Sequence, residues 1–158
     1  MRPIYLLVQA NSHRTVMEQT SSPYSSCFLF SVNAFARALS KAAEPYFAEL
    51  GLTTTQAFLL MSVVREPGIS TGQLAREVQL EPSTVTRALD KMERKLLIYR
   101  ETRGLSVRVF PSPDARRLEK DARAAWGKVK VLYHDKYTKE ISDGWAVELD
   151  RALRWLKV

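Results

Sequence analysis

The sequence predicts a mainly α-helical chain with one small β-hairpin. Three observations point to it. Apolar residues recur at spacings of three and four over long stretches on both sides of residues 97–110. Between 97 and 110 that period gives way to two short strand-like runs around an Arg103-Gly104 turn. Hydroxyl residues, prolines and glycines fall between the periodic stretches, where helices start and stop.

The elements follow in order. Residues 1–23 show no period and contain Pro3 and Pro23, which predicts a mobile N-terminal arm. Met17 is an alternative start, which would leave residues 1–16 outside the native protein. A helix is expected from about residue 24, with Phe28, Val32, Phe35, Leu39, Ala42 and Tyr46 on one stripe. Pro45 is expected to kink or interrupt it, and Gly51 to end it. Thr53 is a good N-cap for a second helix that turns Ala57, Leu60, Met61 and Val64 inward and stops at Pro67-Gly68. Ser70 and Gln73 read as a capping box opening a short helix that buries Leu74 and Val78. After a turn at Gln79-Leu80-Glu81, Pro82 takes the first position of a helix running to about Lys95. Strands are expected at Ile98–Arg100 and Val107–Phe110. Ser112-Pro113 starts a long helix with Leu118, Ala122, Ala125, Val129 and Leu132 on a stripe widened by Trp126, Tyr133 and Tyr137. A last helix from about Asp143 carries Trp145, Leu149, Ala152, Leu153 and Leu156.

Charge and composition narrow the function. The 158 residues carry a formal net charge of +7, which favours an anionic partner, nucleic acid being the commonest. No apolar run approaches the roughly 20 residues that span a bilayer. The single cysteine, Cys27, excludes an internal disulfide framework. Together these features predict a cytoplasmic protein without membrane partners. His13 and His134 are the only histidines, and neither sits at a metal-ligand spacing, so neither a metal nor another cofactor is expected. Phosphate-binding glycine loops, nucleophile elbows and dinucleotide fingerprints are all missing, which argues against an enzyme.

Residues 70–110 are the informative segment. Two short helices joined by a tight turn and followed by a hairpin have the order of a winged helix-turn-helix. In the second of these helices, Val85, Leu89, Met92 and Leu96 share one narrow face that must be buried. The opposite face presents Ser83, Arg87, Lys91 and Arg94, with Thr84 at its edge. Hydroxyls near a helix N-terminus suit phosphates or base edges, and arginine suits the major-groove edge of guanine. Asp90 lies near that face and weakens the match. Residues 82–108 hold seven cations and three anions, a net of +4, so the basicity is local.

The run GISTGQLAREVQLEPSTVTRALDKMERKLLIYR resembles the DNA-binding core of MarR-family transcription regulators. Leu74-Ala75 and Ser83-Thr84-Val85-Thr86-Arg87 match the family pattern as they stand, and Leu89, Met92, Leu97 and Ile98 match it in type. VRVFPSPDARRL resembles the second wing strand and the start of the long dimerisation helix, and LGLTTTQAFLLM the start of the second helix. The resemblance implies a single domain over 24–158. In it, 24–50 and 112–158 supply dimerisation helices and 53–110 forms a winged helix-turn-helix lobe. It also implies a sequence-specific regulator, a repressor by family default, acting as a homodimer on a near-palindromic operator. DNA contacts fall to Ser83, Thr84, Thr86, Arg87 and Lys91 on the recognition helix.

Some positions depart from the family. The wing is shorter by about three residues. Arg103 stands opposite the usual wing Asp and Leu105 opposite the usual wing Arg, so minor-groove reading passes to Arg103, with Arg100 or Arg108 touching phosphate. Leu96 replaces the glycine after the recognition helix, and Glu81 is a weak N-cap. The resemblance also implies release by a small aromatic or phenolic ligand, for which Phe28, Tyr46, Phe47 and Trp126 are candidate lining residues, though at helical spacing they also read as plain core. Cys27, followed by Phe28, resembles the cysteine of the peroxide-sensing OhrR-like members. It reads either as a redox sensor or as a small buried apolar residue. A rival to the whole reading is a winged helix used for protein–protein contact without specific DNA binding.

Overall fold

The computed structural model describes residues 22–104 and 106–156, with Arg103 described by its backbone alone. The expected N-terminal arm therefore lies almost wholly outside the described residues. The chain divides into two compact units, 1–41 and 42–158.

Among the described residues, six helices and three strands follow one another. They are α1 (Phe28–Ala48), α2 (Thr54–Arg65), β1 (Ile69–Ser70), α3 (Thr71–Glu77), α4 (Pro82–Arg94), β2 (Ile98–Arg103), β3 (Ser106–Pro111), α5 (Pro113–Tyr137) and α6 (Lys139–Leu156). The mainly helical class with a small hairpin is borne out. The hairpin is part of a three-stranded antiparallel sheet in the order β1-β3-β2.

Local chemistry sets most boundaries. Before α2, the Thr53 hydroxyl accepts from the Gln56 backbone N–H while the Gln56 side-chain Oε1 accepts from the Thr53 backbone N–H. Ser70 and Gln73 repeat this box before α3, as the sequence predicts. Ser112 caps α5 through the Ala115 N–H, with Pro113 in the first helical position. Pro45 does not break α1: it lies on the exposed side of a continuous helix, where the carbonyl it leaves without a donor is open to water. The first helix starts at Phe28 and the last at Lys139, four residues either side of the expected positions.

Helices α1, α3 and α4 stop in the same way. Gly51, Gln79 and Leu96 adopt positive φ of 68°, 54° and 57°. Each donates to the carbonyl three residues back, and the next residue donates five back: Leu52 to Phe47, Leu80 to Ala75, Leu97 to Met92. This is the Schellman arrangement, which favours glycine at the left-handed position. Only Gly51 supplies one, so Gln79 and Leu96 each carry backbone strain.

The core of residues 42–158 gathers Phe47, Leu59, Leu60, Val63, Ile69, Leu74, Val85, Leu89, Met92 and Val109, with Ala115, Ala122, Ala125 and Val129 of α5. Ser62 of α2 donates to the Glu77 carboxylate of α3 at 2.5 Å, and Arg65 pairs with the same carboxylate. Gly68 has φ +87°, and a Cβ there would meet the Phe110 ring at 3.1 Å, so only glycine fits this turn into β1.

Candidate nucleic-acid interface

Helix α4 divides into two faces. Val85, Leu89 and Met92 are 0% exposed, and each buried side chain of this kind contributes about 1.5–3 kcal/mol. Leu96 does not join them. It lies beyond the helix end in the left-handed conformation, which turns it outward to 76% exposure, and Leu97 is buried in its place. Three residues rather than four therefore anchor the helix.

The other face is open. Ser83, Thr86, Arg87, Lys91 and Arg94 are exposed, and Thr84 is half-buried at the edge. The Thr86 hydroxyl donates to the Pro82 carbonyl at 2.9 Å, and Arg87 Nη2 lies 3.4 Å from Thr84 Oγ1. Glu81 occupies the N-cap without any side-chain cap bond; Pro82 carries no N–H, and the Thr84 N–H donates to the Glu81 carbonyl at 2.9 Å. Between this face and the first turn of α2 runs an open groove of about 350 Å³, lined by Thr53, Thr55, Thr84, Arg87, Lys91 and Arg94 among others. Sequence reasoning did not find Thr53 and Thr55, because only the fold brings the start of α2 beside α4. Lys95, although basic and exposed, donates to the Gly51 carbonyl at 2.6 Å.

The expected wing residues divide. Arg100, expected to touch phosphate, turns back onto α4: its Nη2 is 2.6 Å from Asp90 Oδ1, and its Nε is 3.0 Å from Glu93 Oε2. The Glu93 hydrogen bond, opposed by burial and reinforced by Asp90, raises its pKa above the ordinary arginine value, so it stays charged. Arg108 is half-buried and donates to the Gly68 carbonyl at 3.2 Å. Arg103 pairs with Ser106 at the end of the hairpin rather than lying in the turn; its side chain and Leu105 lie outside what is described.

The four aromatics expected around a ligand differ in burial. Phe47 is 1% exposed in the core, Phe28 is 81% exposed, and Tyr46 is half-buried. Trp126 alone lines a groove, about 440 Å³, with Phe58, Met61, Arg65, Val78 and Arg123 among its walls. Phe58 sits edge-on to Trp126 at 6.1 Å and near Phe47 at 6.2 Å. Cys27 is exposed in the single chain, immediately before α1. Among the described residues no group of His, Cys, Asp or Glu has the arrangement of a metal site, and no helix is long and apolar enough to cross a membrane.

The MarR family model matches residues 52–104, from the start of α2 to the tip of the wing. No curated protein matches the sequence. Solved structures do match in fold. The Staphylococcus aureus MepR–DNA complex superposes with a TM-score of 0.71 at 17% identity, covering 87% of this chain and 100% of that one. The M. tuberculosis regulator MosR matches with a TM-score of 0.71 at 22% identity, covering 83% and 98%. A putative MarR-family regulator from Listeria monocytogenes, complexed with a 26mer DNA, matches with a TM-score of 0.68 at 19% identity, covering 80% and 87%. Over residues 52–104 the sequence matches the MarR family model, and over most of its length the chain shares the fold of these solved regulators.

Proposed function

We propose that this protein is a sequence-specific transcription regulator that binds duplex DNA as a homodimer, with α4 in the major groove. The carrying observation is the division of α4: one face fully buried on Val85, Leu89 and Met92, the other presenting Ser83, Thr86, Arg87 and Lys91 to solvent. The Ser83 and Thr84 hydroxyls serve phosphate or base edges, Arg87 reads a guanine edge, and Lys91 touches phosphate. Of the wing residues, Arg103 is assigned to the minor groove and Arg108 to phosphate. Structural relatives solved with DNA support this reading.

Two α4 helices in a dimer enter successive major grooves about 34 Å apart, so the operator is near-palindromic with half-sites one helical turn apart. Repression is the mode we assign, in the cytoplasm. Release is assigned to a small aromatic or phenolic effector seated at the Trp126 groove, or to oxidation of the exposed Cys27. The Rhodococcus jostii regulator CouR, similar in fold with a TM-score of 0.67, was solved with p-coumaroyl-CoA, a phenolic ester. Should Cys27→Ser leave peroxide-induced release intact, oxidation is not the trigger.

Fluorescence anisotropy across a salt series tests the reading. Binding to a selected duplex is expected to weaken steeply, with a log–log slope near −0.9 per phosphate contact. Salt-independent binding, or none, would leave the winged helix as a protein–protein contact module instead.

A further inference from the structure

Helix α4 carries two carboxylates, Asp90 and Glu93, and Asp90 lines the same groove as Arg87, Lys91 and Arg94. An uncompensated carboxylate there would repel a DNA phosphate. Arg100 crosses from β2 to both, 2.6 Å from Asp90 and 3.0 Å from Glu93. Its side chain is more sheltered than either partner, at 23% exposure against 39% and 40%. A partly sheltered, two-carboxylate arrangement holds better than a lone surface pair. A phosphate contact would require Arg100 to leave both carboxylates bare beside the DNA.

We propose that Arg100 is a positioning residue for DNA binding and not a phosphate contact: its charge offsets one of the two carboxylates and its hydrogen bonds hold both, so Asp90 and Glu93 repel DNA less. The proposal rests on the reading that α4 faces DNA. It assigns the short wing a task its first strand performs without touching the duplex.

The test uses the full chain and a 30-base-pair duplex that the native protein selects from a random pool, with affinity followed against salt. Arg100→Ala bares both carboxylates and is expected to weaken binding about tenfold. Arg100→Ala/Glu93→Gln has the net charge of the native cluster and is expected to recover to within about threefold, with an unchanged salt slope. A double variant as weak as the single one, with a slope shallower by about 0.9, makes Arg100 a phosphate contact and overturns the proposal. Where Arg100→Ala alone fails to fold, the Asp90→Asn/Glu93→Gln background replaces it. No charge is left to mask there, so adding Arg100→Ala changes affinity less than about twofold, and a tenfold loss overturns the proposal.

Heparin, a sulfated polyanion, separates this failure from failure of the DNA reading. If the native chain selects no duplex, the DNA reading fails, and masking is read on a heparin column. In the neutralised background, adding Arg100→Ala is expected to shift elution no more than Arg151→Ala, which removes the same charge from α6. A larger shift counts against masking.

Discussion

The lobe from Leu52 to Pro111 and the last helix, α6, treat their apolar residues in opposite ways. In the lobe, Leu59, Leu60, Val63, Leu74, Val85, Leu89, Met92 and Val109 all lie in one core. Helix α6 buries nothing: Ile141, Trp145, Val147, Leu149, Leu153, Trp155 and Leu156 are all exposed in the single chain. Exposed large apolar residues clustered on one helix mark an interaction site. One region buries its apolar residues within its own chain, and the other leaves them exposed. The proposal gives it a second copy of the same chain, which also sets the spacing of two α4 helices on DNA.

The largest expected effect breaks the exposed region. Leu149→Glu/Leu153→Glu is expected to yield a folded monomer by sedimentation, with duplex affinity down a hundredfold or more as one half-site is lost. A variant that stays dimeric would move the interface elsewhere. Within the lobe, Leu89→Ala leaves a cavity in a fully buried site and is expected to cost about 2–5 kcal/mol in chemical denaturation. A cost under 1 kcal/mol would mean α4 is not anchored as described.

On the lobe's open face, Arg87→Ala is expected to leave stability unchanged, weaken selected duplexes by about 1–3 kcal/mol and relax preference at one base position. Uniform weakening of all sequences would make Arg87 a phosphate contact. The smallest effect concerns the end of α4. Leu96→Gly relieves the left-handed strain and is expected to stabilise the protein by about 1 kcal/mol, without altering DNA affinity. A destabilising outcome would show that exposed Leu96 packs against something, a second subunit included.

The two regions also differ in how far the sequence foretells them. Where a signal is local, it reads correctly: the Ser70–Gln73 box, Pro82 and Ser112-Pro113 at helix starts, and the burial of Val85, Leu89 and Met92 all hold. Thr53–Gln56 carries the same capping-box signature and was legible too, though only its Thr53 half was expected. Strand β1 was not legible, because two residues, Ile69 and Ser70, show no alternation, and only pairing with Val109 and Arg108 makes them a strand. Leu96 satisfies the helical period yet leaves it, because a Schellman ending reverses the chain one residue earlier than the pattern. The pairing of Arg100 with Asp90 and Glu93 depends on β2 folding back along α4, which no spacing encodes. For α6 the apolar pattern is plain, but no residue of the helix is buried in the single chain.

Hydroxyl-radical footprinting on a selected operator tests the central claim most directly. Native protein is expected to protect two patches about 10–10.5 base pairs apart on one face of the duplex, with Arg87→Ala losing both together. One isolated patch, or protection that Arg87→Ala leaves intact, would contradict a dimer that reads DNA through the open face of α4.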